Sequence, residues 1–116
     1  MLQAKSVVSG NRPKGKKLWI YIPRHVVCDS QFKFRIGDTF EAKFIPEQNA
    51  FTAKKIDADK HRMDDYCTIQ GANRKLWLYM AQKLVQRREF PFKYKDEITI
   101  SILPEEDAIA ISPLAK

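Results

Sequence analysis

The residues of this chain best suited to chemistry are its cations. Four of them, Arg12, Lys14, Lys16 and Lys17, fall within the seven residues Asn11-Arg-Pro-Lys-Gly-Lys-Lys17. Glycine lets a backbone approach a phosphate closely, and a turn of this composition cannot bury charge. The pattern therefore points to phosphate contact with a polyanion, nucleic acid first. A solvated, lysine-rich loop has the same composition and is the plain alternative. Arg74 and Lys75 form a second, weaker pair. Arg24, Lys83, Arg87 and Arg88 belong to helical stretches, where such residues ordinarily keep a surface wet. Trp19 and Trp77 could stack on bases, although aromatic rings on a central strand more often pack in the core or between elements. His25 and His61 have acids nearby in Asp29, Asp57, Asp59, Asp64 and Asp65. The spacing from His25 to Asp29 could hold a metal, but an acid-rich connector is commonplace. No Ser-His-Asp, Cys-His, paired-carboxylate or phosphate-loop signature occurs. The expectation is a protein with no enzymatic activity, no cofactor and no metal.

The elements that must hold these residues come from a repeat. Lys17 to Ile56 lies over Lys75 to Leu114 at an offset of 58, without a gap for 40 positions and with 11 identities. About two or three would be expected from average residue usage. The identities include Lys17/Lys75, Trp19/Trp77, Tyr21/Tyr79, Phe32/Phe90, Phe34/Phe92 and Asp38/Asp96. Most other pairs keep their character, as in Ile20/Leu78 and Phe40/Ile98. The chain is thus two copies of one unit, 1–58 and 59–116. A unit of this size alone has a marginal core, so the two are expected to share one within a single domain of 116 residues.

Each unit reads as strand, turn, strand, short helix, strand, hairpin, strand. Residues 3–9 and 66–70 carry the first strand. Leu18, Ile20 and Ile22 share one face of the second strand by period two, with Trp19 and Tyr21 on the other. Because both faces are apolar or aromatic, this strand is expected to be covered on both sides. Pro23 suits the first helical turn. In the second copy, 81–89 has strong helix formers throughout and is expected to be the better helix. The paired phenylalanines Phe32/Phe34 and Phe90/Phe92 should then enter the core. Residues 39–45 and 97–103 alternate polar and apolar, Pro46 to Asn49 and Pro104 to Asp107 turn, and strands from Ala50 and Ala108 close the units.

The net charge is +7, with +6 in residues 1–58 and +1 in 59–116. Such a balance suits a polyanionic partner or an acidic surface. No apolar run approaches a membrane span, and the start MLQAKSVVSG lacks a secretory signal, so a cytoplasmic location is expected. Cys28 and Cys67 have no metal-ligand spacing and are expected as reduced thiols.

A strand ending Ile22-Pro23, apolar Val26-Val27, anchors Phe32 and Phe34, then Gly37-Asp38 and strands at 39–45 and 50–56 resemble the AbrB-like (SpoVT-AbrB) swapped-hairpin family. The second copy departs from it, with Met80-Ala81 and Lys95 at the Ile-Pro and Gly places. The family usually has Gly-Arg, whose Arg touches DNA, where this chain has Leu18-Trp19 and Leu76-Trp77. The resemblance implies a mainly β fold: a swapped-hairpin barrel formed as a single-chain pseudo-dimer of two β-β-α-β-β units. It also implies a transcription regulator that binds double-stranded DNA, with Arg12, Lys14, Lys16, Lys17, Arg74 and Lys75 on phosphates. A protein-interaction module of antitoxin or adaptor type is the second reading, with a protein partner in place of DNA. Assembly beyond the pseudo-dimer is compatible with either.

Overall fold

Alternation of apolar and polar residues puts every expected strand in place. The structure is a computed structural model that describes residues 2–10, 18–56, 66–72, 75–88, 90–93 and 95–114. The first half contributes β1 (Leu2–Gly10), β2 (Leu18–Ile22), α1 (Arg24–Val27), β3 (Thr39–Ile45) and β4 (Ala50–Ile56). The second contributes β5 (Tyr66–Ala72), β6 (Lys75–Met80), α2 (Gln82–Val85), β7 (Glu97–Leu103) and β8 (Ala108–Pro113). The eight strands close into one antiparallel barrel in the order β1-β2-β6-β5-β3-β4-β8-β7. The Gly10–Lys16 turn and the 57–65 connector lie outside the described residues, apart from Gly10 itself.

The pairing obeys the sequence repeat. β2 lies against its own counterpart β6, with Ile20 opposite Leu78, and β4 against β8, with Thr52 opposite Ala110. β1 pairs with β7 of the other half, and β5 with β3. The offset of 58 maps each pairing onto its partner if β1 is shifted by 61 instead. Val8 opposite Ile20 then becomes Ile69 opposite Leu78, and Lys5 opposite Thr99 becomes Tyr66 opposite Glu41. The three-residue difference is the amount by which the first turn of the second copy is shorter. Local geometry repeats as well. Gly37 and Lys95 both have positive φ, at 98° and 75°, as do Asn49 and Asp107 at 50° each. The Asp38 carboxylate accepts the Arg35 N–H at 2.9 Å, and the Asp96 carboxylate accepts the Lys93 N–H at 2.7 Å. Short Asx side chains tolerate the left-handed region and close such turns locally.

Barrel interiors of eight strands are just wide enough for side chains to fill. Here the buried side chains form one contiguous cluster drawn from both halves, including Leu18, Ile20, Leu76, Leu78, Phe34 and Phe92, with Phe90 packed against it. Phe51 of β4 carries the contact across the repeat boundary. Its ring lies 5.9 Å from Phe90 and 6.0 Å from Phe92, while Phe44 lies 6.4 Å from Phe90.

Three expectations fail locally. The helix expected over 81–89 is a single turn, Gln82–Val85, no longer than α1. Helix nucleation is costly and a turn of four residues suffices to bury Leu84, so packing outweighs propensity. After that turn the chain must double back, with N–H groups of Arg87 and Phe90 donating to the carbonyls of Leu84 and Arg87, to deliver the phenylalanines. Pro23 caps α1 from outside, with φ −56° and ψ 145°, rather than opening it. The third failure concerns β2, which is covered on one side only. Leu18, Ile20 and Ile22 are buried, whereas Trp19 is half-buried and Tyr21 is 39% exposed.

Candidate nucleic-acid interface

Strand order, more than any motif, sorts the charge. Residues 1–22 and 66–80 comprise the β1–β2 and β5–β6 pairs with the segments that join them. They hold seven cations, Lys5, Arg12, Lys14, Lys16, Lys17, Arg74 and Lys75, and no Asp or Glu. The other 79 residues hold 14 Lys or Arg and 14 Asp or Glu. The whole net charge therefore belongs to two segments that are 43 residues apart in the chain. Because β2 pairs with β6, the described strands of these segments are adjacent in the barrel, β1-β2-β6-β5, with Lys5 and Lys75 exposed on them. The division of charge between residues 1–58 and 59–116 hides this sorting, since each half gives one acid-free pair and one mixed pair.

Of the expected phosphate contacts, Lys75 is described: it opens β6 and its side chain is exposed. Arg12, Lys14, Lys16, Lys17 and Arg74 lie outside the described residues. Register still constrains where their segments leave the sheet. Leu18 stands opposite Met80 and Ile22 opposite Leu76, so the segments preceding β2 and β6 depart from opposite ends of the central pair. Five residues of antiparallel strand separate Lys75 from Met80, which is roughly 17 Å. Lys5, exposed on β1, lies on the same four strands.

Between those two ends the outer surface is aromatic. Trp19 stands opposite Tyr79, and Tyr21 opposite Trp77. The rings of Trp19, Trp77 and Tyr79, together with Gln70, line an open hollow of about 340 Å³. The neighbours across the flanking strands are uncharged: Ser9 beside Trp19, Thr68 beside Tyr79, Gln70 beside Trp77. Stacking by the tryptophans was the lesser expectation from sequence, and of the core or inter-element packing set against it, the core part is excluded by the strand's parity. Leu18, Ile20 and Ile22 already occupy the inward positions, so residues 19 and 21 must point out.

The remaining candidates separate. Arg24, Lys83, Arg87 and Arg88 are exposed, as helical surface residues commonly are. His25 is exposed, the Asp29 carboxylate accepts the Gln31 N–H at 2.9 Å, and His61 lies outside the described residues. Among the described residues no group of three His, Cys, Asp or Glu is placed to hold a metal ion. Cys28 is exposed and Cys67 buried, both as free thiols, and burial pushes the Cys67 thiol well above its ordinary pKa. Among the described residues no helix is long and apolar enough to cross a membrane. Comparisons with protein-family models, with curated proteins and with solved structures return no match for this chain.

Proposed function

We propose that this chain is a DNA-binding protein, a transcription regulator of the AbrB-like kind, that contacts phosphates through the basic turn at 11–17, with Arg74 and Lys75 as its weaker counterpart. The observation that carries the reading is that the four adjacent strands β1-β2-β6-β5 hold no Asp or Glu and expose Lys5 and Lys75, while the chain segments that join them in sequence hold Arg12, Lys14, Lys16, Lys17 and Arg74. A basic surface of this kind attracts a polyanion and binds it through counterion release. The fold reading that accompanies it is a swapped-hairpin pseudo-dimer within a single domain spanning 1–116. The exchange of neighbours supports it: β1 sits beside β7, and β5 beside β3, so each N-terminal pair abuts the C-terminal pair of the other repeat.

The test is a salt titration on duplex DNA by fluorescence anisotropy. Arg12, Lys14, Lys16, Lys17, Arg74 and Lys75 offer six candidate contacts. If about four engage at once, the slope of log K against log salt is about −3 to −5. Converting Arg12, Lys14 and Lys16 together to Ala should flatten it by about 2 to 3, whereas changing Arg24 and Lys83 should do less. An unchanged slope in the triple variant moves the DNA surface elsewhere. No binding at about 50 mM salt removes the DNA reading and leaves the protein-partner reading of antitoxin or adaptor type.

A further inference from the structure

We infer that the Trp19, Tyr21, Trp77, Tyr79 face is a stacking platform for unpaired bases, so that the protein holds single-stranded nucleic acid in preference to intact duplex. The inference rests on the nucleic-acid reading above and names the form of nucleic acid that the face takes.

The aromatic character of this face is not something the barrel needs. The same pseudo-symmetric fold contains a second central pair, β4 with β8, built on the same antiparallel geometry. Its outward positions are Thr52, Lys54, Ala110 and Ser112, which are small or polar except for the lysine. The β4–β8 pair forms with such residues, so the four aromatic rings on the β2–β6 exterior, which also add cross-strand stability, exceed what the equivalent pair uses. They are also arranged as a unit. Direct opposition sets Trp19 against Tyr79 and Tyr21 against Trp77. Their Cβ atoms are then about 5 Å apart across the strands, and the two rings of one strand lie about 7 Å apart along it. Trp19, Trp77 and Tyr79 line one open hollow with Gln70, and Tyr21 lines a neighbouring one with Lys5, Ser6 and Val7.

Charge decides the occupant. An apolar protein surface would suit these rings if their surroundings were mixed, but none of the four strands contains an acid, and Lys5 and Lys75 are exposed on them. Aromatic rings on strands that carry Lys5 and Lys75 and no acid, with Glu97 of the adjoining β7 at the outer edge beside Tyr21, match a ligand with π-faces and regular negative charge. Single-stranded nucleic acid has both, and each stacked base contributes independently of its identity. In a duplex the faces of the bases are stacked on one another and only their edges are presented in the grooves. Rings lying on a sheet cannot reach those faces unless the base is unpaired. Gln70, exposed beside Trp77, carries an amide that can donate to and accept from the edge of a base lying on the platform.

Trp19 and Trp77 are the chain's two tryptophans, so intrinsic tryptophan fluorescence reports on the platform alone. The experiment titrates the full chain with oligothymidylate and, separately, with a mixed-sequence duplex of equal length, at the same salt. It reads tryptophan fluorescence and the anisotropy of the labelled strand together. The expected result is quenching by oligothymidylate and an affinity for it at least about ten-fold above that for the duplex. Trp19→Leu and Trp77→Leu keep apolar bulk but remove the indole. Each should weaken single-strand binding by about ten-fold, leaving duplex affinity and the salt slope unchanged. Tyr79→Ala retains both reporters and should weaken single-strand binding in the same direction, which covers a tryptophan variant that fails to fold. Duplex bound as tightly as oligothymidylate, or oligothymidylate bound without quenching, overturns the platform while the phosphate reading survives. Binding of neither overturns both. Fluorescence that changes with protein concentration alone, with a doubled mass in sedimentation, assigns the rings to a second copy of the chain and also overturns the platform.

Discussion

Replacing Phe51 by Ala tests whether the halves depend on one another. Phe51 belongs to the first half and is buried in β4, but two of its ring neighbours, Phe90 and Phe92, come from the second half at 5.9 and 6.0 Å. Its third ring neighbour is Phe44 at 6.2 Å. Truncating a buried phenylalanine costs about 3–5 kcal/mol, from lost transfer free energy and the cavity left behind. Average unfolding entropy, scaled to a chain of 116 residues, is about 240 cal/mol/K. Each kcal/mol then moves Tm by about 4 °C, so Phe51→Ala should lower it by about 12–20 °C. Phe92→Ala should fall in the same range, and the double variant should lose less than the sum, by about 0.5–1.5 kcal/mol for an aromatic pair. Thermal melts followed by circular dichroism and calorimetry, with urea titrations, supply the values. The melt of the single variant should remain one transition, because the cavity opens between the halves. A loss below about 1 kcal/mol, or a melt in two steps with only one shifted, refutes the shared core.

Gly71→Ala should destabilise by about 1–3 kcal/mol in a urea titration, since the new Cβ would clash with the Lys75 carbonyl oxygen and meet the Leu76 side chain at 2.8 Å. Cys67 makes stability fall on the alkaline side. Its thiol stays protonated in the folded barrel, whereas in the unfolded chain it ionises above about pH 9. The unfolded state then binds fewer protons, and stability drops with rising pH by up to about 1.4 kcal/mol per unit. Urea midpoints on either side of that pH should show a fall in the parent that is smaller in Cys67→Ala. A thiol reagent should modify Cys28 at once and Cys67 only on unfolding.

The sequence by itself determined the units. Period-two alternation places Thr39–Ile45 and Glu97–Leu103 as strands with the bounds they have in the barrel, because a one-residue slip would turn every core side chain to solvent. Proline and left-handed Asx residues mark both hairpins at the same repeat positions, since few residues tolerate that backbone. The inward Leu18, Ile20 and Ile22 and the phenylalanine anchors were legible for the same reason: local parity and bulk specify them. Helix length in the second copy was not legible, because propensity over 81–89 says nothing of how soon Phe90 must reach the core.

What the tertiary structure alone decided is which strands become neighbours. Nothing in the local pattern of 18–22 or 75–80 says that β2 will lie beside β6 rather than inside its own half. That choice is made by burial of both units' apolar faces in one closed barrel, where no strand edge is left unpaired. Its consequence is spatial. Two acid-free strand pairs distant in the chain become one face of four adjacent strands, and Trp19 and Trp77, which parity turns outward, come to line one hollow. Charge counted along the chain could not reveal that face, because the face exists only once non-local hydrogen bonds set the two pairs edge to edge.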